Sequence, residues 1–271
     1  MENQYQTQPT EIIEIFNEAP NVKRFKLKSD SNKLDFGPGQ IIEISMPGFG
    51  EAPVAICSDP RENRWIEVCV RKVGALTTKI HTLKIGDKIN IRGPYGNTWP
   101  TKILESTDNA KKNLLIVVGG IGLIPLRPLF LSKEKYLPTT KIQLFYGAKT
   151  PEDFIFKQEL KEWQSIGIDV QLSIDKPSAD WKGKVGLVTT LFESTKVIDN
   201  AIAFLCGPPI MYKFALEKMR KFEDENIYLS LEKRMHCGIG VCQHCAVGPY
   251  YVCTNGPVFS YDKIKNIKNA L

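Results

Sequence analysis

Four of the chain's seven cysteines fall within 17 residues, in Cys237-Gly-Ile-Gly-Val-Cys242-Gln-His-Cys245-Ala-Val-Gly-Pro-Tyr-Tyr-Val-Cys253. A segment of about 40 residues from Glu232 onward buries too little apolar surface to stand without a staple, and these cysteines are the staple available. Cys57, Cys69 and Cys206 stand alone. An odd, lopsided set differs from the even, distributed set of a disulfide framework in a small secreted chain. A metal or cluster site in a reducing compartment fits better. The spacing C-x4-C-x2-C-x7-C matches the plant-type [2Fe–2S] pattern in its first three positions. Gly238, Gly240 and Gly248 suit a loop that turns backbone N–H groups toward cluster sulfurs. The alternative is structural zinc on the same four cysteines, although such sites usually comprise two short-spaced pairs and only one exists here. His236 and His244 are candidate ligands of a mixed site, which four cysteines complete without them.

At 271 residues the chain has room for two ordinary domains and an appendage. Its 42% hydrophobic and 24% charged content excludes intrinsic disorder for most of its length. The net charge of +6 comes from 36 Lys and Arg against 30 Asp and Glu, without the basic stripe of a nucleic-acid binder. Half of it lies after Asn226, where Lys233, Arg234, Lys263, Lys265 and Lys268 outnumber Glu232 and Asp262 by three. No run approaches the roughly 20 apolar residues of a membrane span. The first ten residues lack the basic and apolar regions of a leader. No nucleic acid, no membrane span and a cytoplasmic location are expected.

From Glu11 to about Pro100 the pattern has a period of two: Phe25 and Leu27 alternate with Lys26 and Lys28, Ile42 and Ile44 with Glu43 and Ser45, Val68 and Val70 with Glu67 and Cys69. Turn clusters at Gly37-Pro38-Gly39, Pro47-Gly48 and Arg92-Gly93-Pro94 separate these runs, which predict an antiparallel β-barrel. Past Lys111 the runs become continuously apolar, at Leu114–Val118, Ile142–Tyr146 and Ala201–Cys206, with helices expected over Leu123–Ser132, Glu152–Trp163 and Ile210–Phe222. Strands buried on both faces and alternating with helices predict a doubly wound α/β domain. A polar linker spans Glu105–Asn113, and Ile227–Leu231 reads as a final strand. The expected boundaries are 1–105 for the barrel, 106–226 for the α/β domain and 227–271 for the cysteine segment.

Three further constellations bear on chemistry. Leu114–Val118 runs straight into Gly119-Gly120-Ile-Gly122, with Pro125 near the start of the following helix. That is either a phosphate-approach turn or an ordinary tight βα connection, and the spacing is not G-x-G-x-x-G. Cys206, followed by Gly207-Pro208, stands where ligands bind in open α/β sheets, or else is a buried thiol packing as a small hydrophobe. In the barrel, Arg71, Gly74 and Thr77 are candidates for phosphate contact at a strand exit, and Arg92-Gly-Pro-Tyr-Gly-Asn97 reads equally as a turn.

In this order the pieces resemble the ferredoxin–NADP+ reductase superfamily from about Glu11 to Tyr261. The stretches that carry the likeness are Glu51-Ala-Pro-Val-Ala-Ile-Cys-Ser-Asp59, Ile91–Asn97, Gly119–Pro128, Tyr146-Gly-Ala-Lys149, Cys206–Met211, Leu231–Cys242 and Tyr251–Phe259. The last two resemble most the branch with a C-terminal [2Fe–2S] segment, which includes anaerobic sulfite reductase B, sulfhydrogenase gamma and, more distantly, dihydroorotate dehydrogenase electron-transfer subunits. The resemblance implies FAD at Pro53, Val54 and Ala55, with Val70 and Arg71 on the next strand and Gly74, Leu76 and Thr77 around the pyrophosphate. It implies NAD(P)H over Gly119, Gly120 and Gly122, with Tyr146, Gly147 and Lys149 toward the adenosine. Cys206, as the catalytic candidate, lies with Gly207, Pro208 and Met211 beside the nicotinamide in that picture. Cys237, Cys242, Cys245 and Cys253 hold the iron.

One departure stands out: the family's Arg-x-Tyr-Ser falls on Ala52-Pro53-Val54-Ala55, so a charge-assisted flavin contact is missing, as it is in the sulfite reductase branch. The chain has no sirohaem, nickel or molybdenum ligand pattern. The implied activity is therefore NAD(P)H-dependent electron transfer, through FAD and the cluster, to partner catalytic and further iron–sulfur subunits. Anaerobic sulfite reductase is the first expectation; a sulfhydrogenase or other hydrogenase, and dihydroorotate dehydrogenase, are the alternatives. A zinc-stabilised scaffold or regulatory protein is the reading of a different class.

Overall fold

The computed structural model describes residues 5–29, 34–62, 64–104 and 113–271, and the chain divides into two compact units. One comprises Met1–Trp99, Ile124–Ser132 and Glu232–Pro257; the other comprises Pro100–Leu123, Lys133–Leu231 and Val258–Leu271. Most of the expected linker, residues 105–112, lies outside the described residues.

The first unit is built on six strands: β1 (Gln8–Ala19), β2 (Val22–Ser29), β3 (Ile41–Met46), β4 (Gly50–Ala55), β5 (Trp65–Arg71) and β6 (Lys88–Tyr95). They form an antiparallel sheet in the order β4-β3-β6-β1-β2-β5. A bridge between Ile56, just past β4, and Val68 of β5 ties the two edges into a barrel. The register stacks apolar residues on one face: Leu27 lies opposite both Ile12 and Ile66, and Ile44 opposite Ile91, all at most 1% exposed. The period-two runs thus place their side chains as expected. The alternate positions do not all face water, however: Glu43, Glu67 and Cys69 are buried too. Beside them lie side chains that arrive from elsewhere in the chain. Arg127, on the helical turn Arg127–Leu131, reaches Glu67, and Arg92 binds backbone of the cysteine segment.

The second unit carries β7 (Asn113–Gly119), β8 (Ile142–Ala148), β9 (Asp169–Ile174), β10 (Lys184–Val185), β11 (Ala201–Cys206) and β12 (Ile227–Ser230). These are parallel in the order β10-β9-β8-β7-β11-β12. Leu114–Val118 have no exposed surface and β8 is buried throughout, as two covered faces require. The chain winds outward from β7 through β8 to β10, then returns to lay β11 on the other side, so the crevice at the carboxyl ends of β7 and β11 is a topological switch point.

The cysteine segment is divided differently from the expected 227–271. Besides the two-residue hairpin β13 (Ala246–Val247) and β14 (Tyr250–Tyr251), the chain enters β15 (Val258–Ser260), which pairs antiparallel with β12. Residues 227–231 and 258–271 therefore belong to the α/β unit, and only Glu232–Pro257 joins the barrel. A three-residue strand is too short to announce itself by alternation. Helix starts also shift. Pro125 and Pro128 lack the N–H that an α-helix needs, and Gly120–Leu126 is a 3-10 run ahead of Arg127–Leu131. Thr150 and Asp153 close a separate capped turn, and the next helix begins at Lys157 and ends at Ser165. The helix Pro209–Lys218 starts one residue earlier than expected and stops four short.

Candidate functional site

The cysteine loop gathers its thiols in two pairs. The Cys245 and Cys253 sulfurs are 3.3 Å apart. Cys237 Sγ accepts N–H groups from Ile239, Val241 and Cys242 at 3.3 to 3.5 Å. Gly240 N–H donates to Cys253 Sγ at 3.2 Å and so links the pairs. Gly238 and Gly240 make this possible by adopting φ +78°, a left-handed conformation that costs an L side chain energy. Backbone N–H groups of His244 and Cys237 lower the Cys242 thiol pKa, whereas burial pushes the Cys253 thiol up to about 12. His236 and His244 pack edge to face with ring centroids 4.4 Å apart. N–H groups aimed at the Cys237, Cys242 and Cys253 sulfurs suit thiolates of an anionic cluster such as [2Fe–2S], while among the described residues no three ligating side chains surround a single metal position.

The loop rests on the turn 92–97. Arg92, 5% exposed, donates from Nη1 to the Cys237 carbonyl at 2.7 Å and from Nη2 to the His236 carbonyl at 2.5 Å. Its other donors meet Glu51 bidentately at 2.7 and 2.9 Å and the Tyr95 hydroxyl at 2.9 Å. The Glu51 contact strengthens the guanidinium's hold on its proton. At the far end of the segment, Asn97 N–H and Nδ2 donate to the carbonyls of Gly256 and Asn255. Sequence reasoning singled out this turn and missed its role, because the carbonyls it binds are more than 140 residues away.

On the barrel, Pro53, Val54 and Ala55 lie in β4 and Pro53 is exposed. Val70 and Leu76 belong to the apolar core, so only their backbone is available to a ligand. Arg71 is exposed at the end of β5. The Thr77 hydroxyl accepts N–H bonds from Val73 and Gly74 at 2.9 Å and shapes the turn that Gly74 opens.

In the α/β unit, β7 and β11 bring the glycine turn and Cys206 together, with Cys206 beside Val118 in register. A Cβ on Gly122 would lie 2.1 Å from the Cys206 carbonyl oxygen, and one on Gly119 would lie 3.0 Å from Met211 Sδ. Gly120, at φ +56°, has open space where a side chain would stand. Gly207 N–H donates to Tyr212 Oη, which in turn donates to the Ser230 carbonyl and fixes the start of the next helix. Cys206 is 4% exposed and Pro208 is exposed. Gly119, Gly122, Cys206, Gly207, Pro208 and Met211 therefore lie together at the switch point. Tyr146 is fully buried, accepting the Ile155 N–H and packing edge-on to Phe154, so its ring offers nothing to a ligand. A Cβ on Gly147 would lie 2.7 Å from Val188, and Lys149 is exposed just past β8.

Comparison with known families divides the chain into three successive segments. Residues 10–99 match the oxidoreductase FAD-binding domain, residues 116–217 the oxidoreductase NAD-binding domain, and residues 232–265 the iron–sulfur cluster binding domain of dihydroorotate dehydrogenase B. The gamma subunit of sulfhydrogenase 2 from Pyrococcus furiosus is 38% identical over 263 residues, covering 89% of this chain and 88% of that one. A probable dihydroorotate dehydrogenase B (NAD(+)) electron transfer subunit from the same organism is 36% identical over 231 residues, covering 85% and 81%. Among solved structures, that of an NADH-dependent reduced ferredoxin–NADP oxidoreductase superposes with a TM-score of 0.75 at 26% identity, covering 94% of this chain and 91% of that one. With FAD-binding, NAD-binding and iron–sulfur domains in series, the chain belongs to the ferredoxin–NADP+ reductase superfamily, as an oxidoreductase related to the electron-transfer subunits of multi-subunit redox complexes.

Proposed function

We propose that this chain oxidises NAD(P)H as the flavin and [2Fe–2S] electron-transfer subunit of a sulfhydrogenase-type complex. The observation that carries the reading is the cysteine loop, whose N–H groups point at sulfur, on a chain otherwise matched by FAD- and NAD-binding domains. When bound, FAD and the cluster supply the conversion from hydride chemistry to single-electron transfer. The chain's own residues supply position. Cys237, Cys242, Cys245 and Cys253 hold the iron. Gly120 leaves room for a dinucleotide, and Gly119 and Gly122 let the turn close against Cys206, Gly207, Pro208 and Met211 beside it, while exposed Lys149 lies on the adenosine side. Pro53–Ala55, Gly74 and Thr77 line the flavin, and Arg71 supplies the cation that the missing family arginine would have given.

The sulfhydrogenase relative, aligned over almost its whole length, favours that partner over the sulfite reductase expected from sequence. A dihydroorotate dehydrogenase partner is the second reading, favoured by the match of the cluster segment. A cytoplasmic location goes with either.

The test is an anaerobic visible spectrum of the purified chain with iron, zinc and released-flavin assays, before and after NADH or NADPH. Flavin and about two irons per chain, bleached by nucleotide, are expected for one plant-type cluster; zinc without flavin would overturn the proposal. Cys242→Ser is expected to lose cluster absorbance and keep nucleotide-dependent flavin reduction. Co-purification from the native source then separates a hydrogenase from a dihydroorotate dehydrogenase or sulfite reductase partner.

A further inference from the structure

We propose that Arg92 is a positioning residue for the iron–sulfur cluster: held by Glu51, it clamps the loop at its first cysteine and sets the cluster's reduction potential with its charge. The inference rests on the reading of the cysteine loop as a [2Fe–2S] site.

The clamp is built. A guanidinium only 5% exposed spends its donors on two consecutive carbonyls, His236 and Cys237, on a tyrosine hydroxyl and on both oxygens of Glu51. Carbonyl oxygens at a cluster ligand repel the negative charge that reduction adds, and a cation seated on them opposes that repulsion. The backbone is committed to this seat: a Cβ on Gly238 would lie 2.8 Å from the Tyr95 ring and 3.1 Å from Arg92 Nη1. Asn97 secures the other end of the segment at Asn255 and Gly256. The charge on Arg92 is only partly offset. Glu51 keeps 34% of its side chain exposed, so water screens it more than it screens Arg92. Glu43, opposite Arg92 in the β3–β6 register, is buried with neither oxygen hydrogen-bonded among the described residues.

A purely structural role and an electrostatic one differ in the sign of two substitutions. In full-length chain carrying its cluster, Arg92→Gln removes the cation and is expected to shift the cluster midpoint negative by roughly tenfold in the one-electron equilibrium, which corresponds to about 59 mV. Glu51→Gln removes the countercharge, keeps the arginine, and is expected to shift the midpoint positive. Arg92→Lys restores charge and is expected to hold the midpoint near wild type with a lower iron content. The readout is a redox titration followed by the EPR signal of the reduced cluster, with iron assayed in every sample. Iron-loaded Arg92→Gln or Glu51→Gln with a wild-type midpoint overturns the inference. If Arg92→Gln retains no iron, Glu51→Gln decides alone. Absence of iron from the wild-type chain would instead overturn the cluster reading itself.

Discussion

Glu43 shows how a single residue can look ordinary in sequence and be unusual in place. It occupies the polar phase of an alternating strand, yet it has no exposed surface and its folded-state carboxyl titrates at about 8, raised by burial more than Arg92 lowers it. An unfolded chain releases that proton near 4.5, so between about pH 4.5 and 8 the native state binds more protons than the unfolded one. Stability contributed by this site therefore falls as pH rises through that window, by at most about 1.4 kcal/mol per pH unit. Glu43→Gln is expected to flatten this slope and to raise the urea midpoint at pH 8. A midpoint unchanged by the substitution from pH 5 to 8 would count against a neutral buried carboxyl. Cys57 and Cys69 are the converse case. They are lone cysteines with buried sulfurs 3.8 Å apart, and burial raises the Cys69 thiol well above its ordinary value, which suits packing better than reactivity.

Two elements depend on contacts that no local pattern carries. The glycine turn after β7 contains glycines with different duties. Gly122 passes against the Cys206 carbonyl, whereas Gly120 only needs its positive φ. Gly122→Ala is expected to cost at least the 1–3 kcal/mol typical of overpacking, roughly, and to impair flavin reduction by nucleotide. Gly120→Ala is expected to cost about 1 kcal/mol of backbone strain. Thermal unfolding of both variants checks the order, and equal losses would contradict it. The helical turn Arg127–Leu131 is held to the barrel by a buried chain of charges. Arg24 meets Glu18 and Glu67, both at 2.6 Å, and Glu67 meets Arg127 at 2.5 Å. Glu67→Gln leaves two guanidiniums without that carboxylate, and a loss of about 3–5 kcal/mol is expected in denaturant unfolding. A loss below about 1 kcal/mol would place this network with the weak surface pairs.

At the scale of the whole molecule, the two units are unequal in how they hold their parts. The α/β unit has a seven-stranded sheet with a largely apolar interior. By contrast, Glu232–Pro257 has two-residue strands as its only regular pairing and depends on its cysteines and on the turn 92–97. Because metal binding by such a segment is folding free energy, iron removal by a chelator is expected to expose residues 236–256 to proteolysis and hydrogen exchange. The strands β7, β8 and β11 are expected to stay protected. Uniform loss of protection across both units would show instead that they unfold together.

Much of this was legible from residue order. Period-two runs predicted the barrel strands, because one face of each strand meets an apolar core. Continuous apolar runs predicted β7, β8 and β11, because a parallel sheet is covered on both faces. The cysteine spacing predicted the cluster loop, because three closely spaced thiols on one loop, joined by a fourth further along, can reach the same small cluster. What only the tertiary structure decided are the pairings between residues far apart in sequence: Arg92 with His236 and Cys237, Arg127 with Glu67, and Gly122 with Cys206. Local patterns report which side of an element is apolar. They carry no record of which distant segment covers the polar side, and here that covering segment turns an ordinary turn into the cradle of the cluster loop.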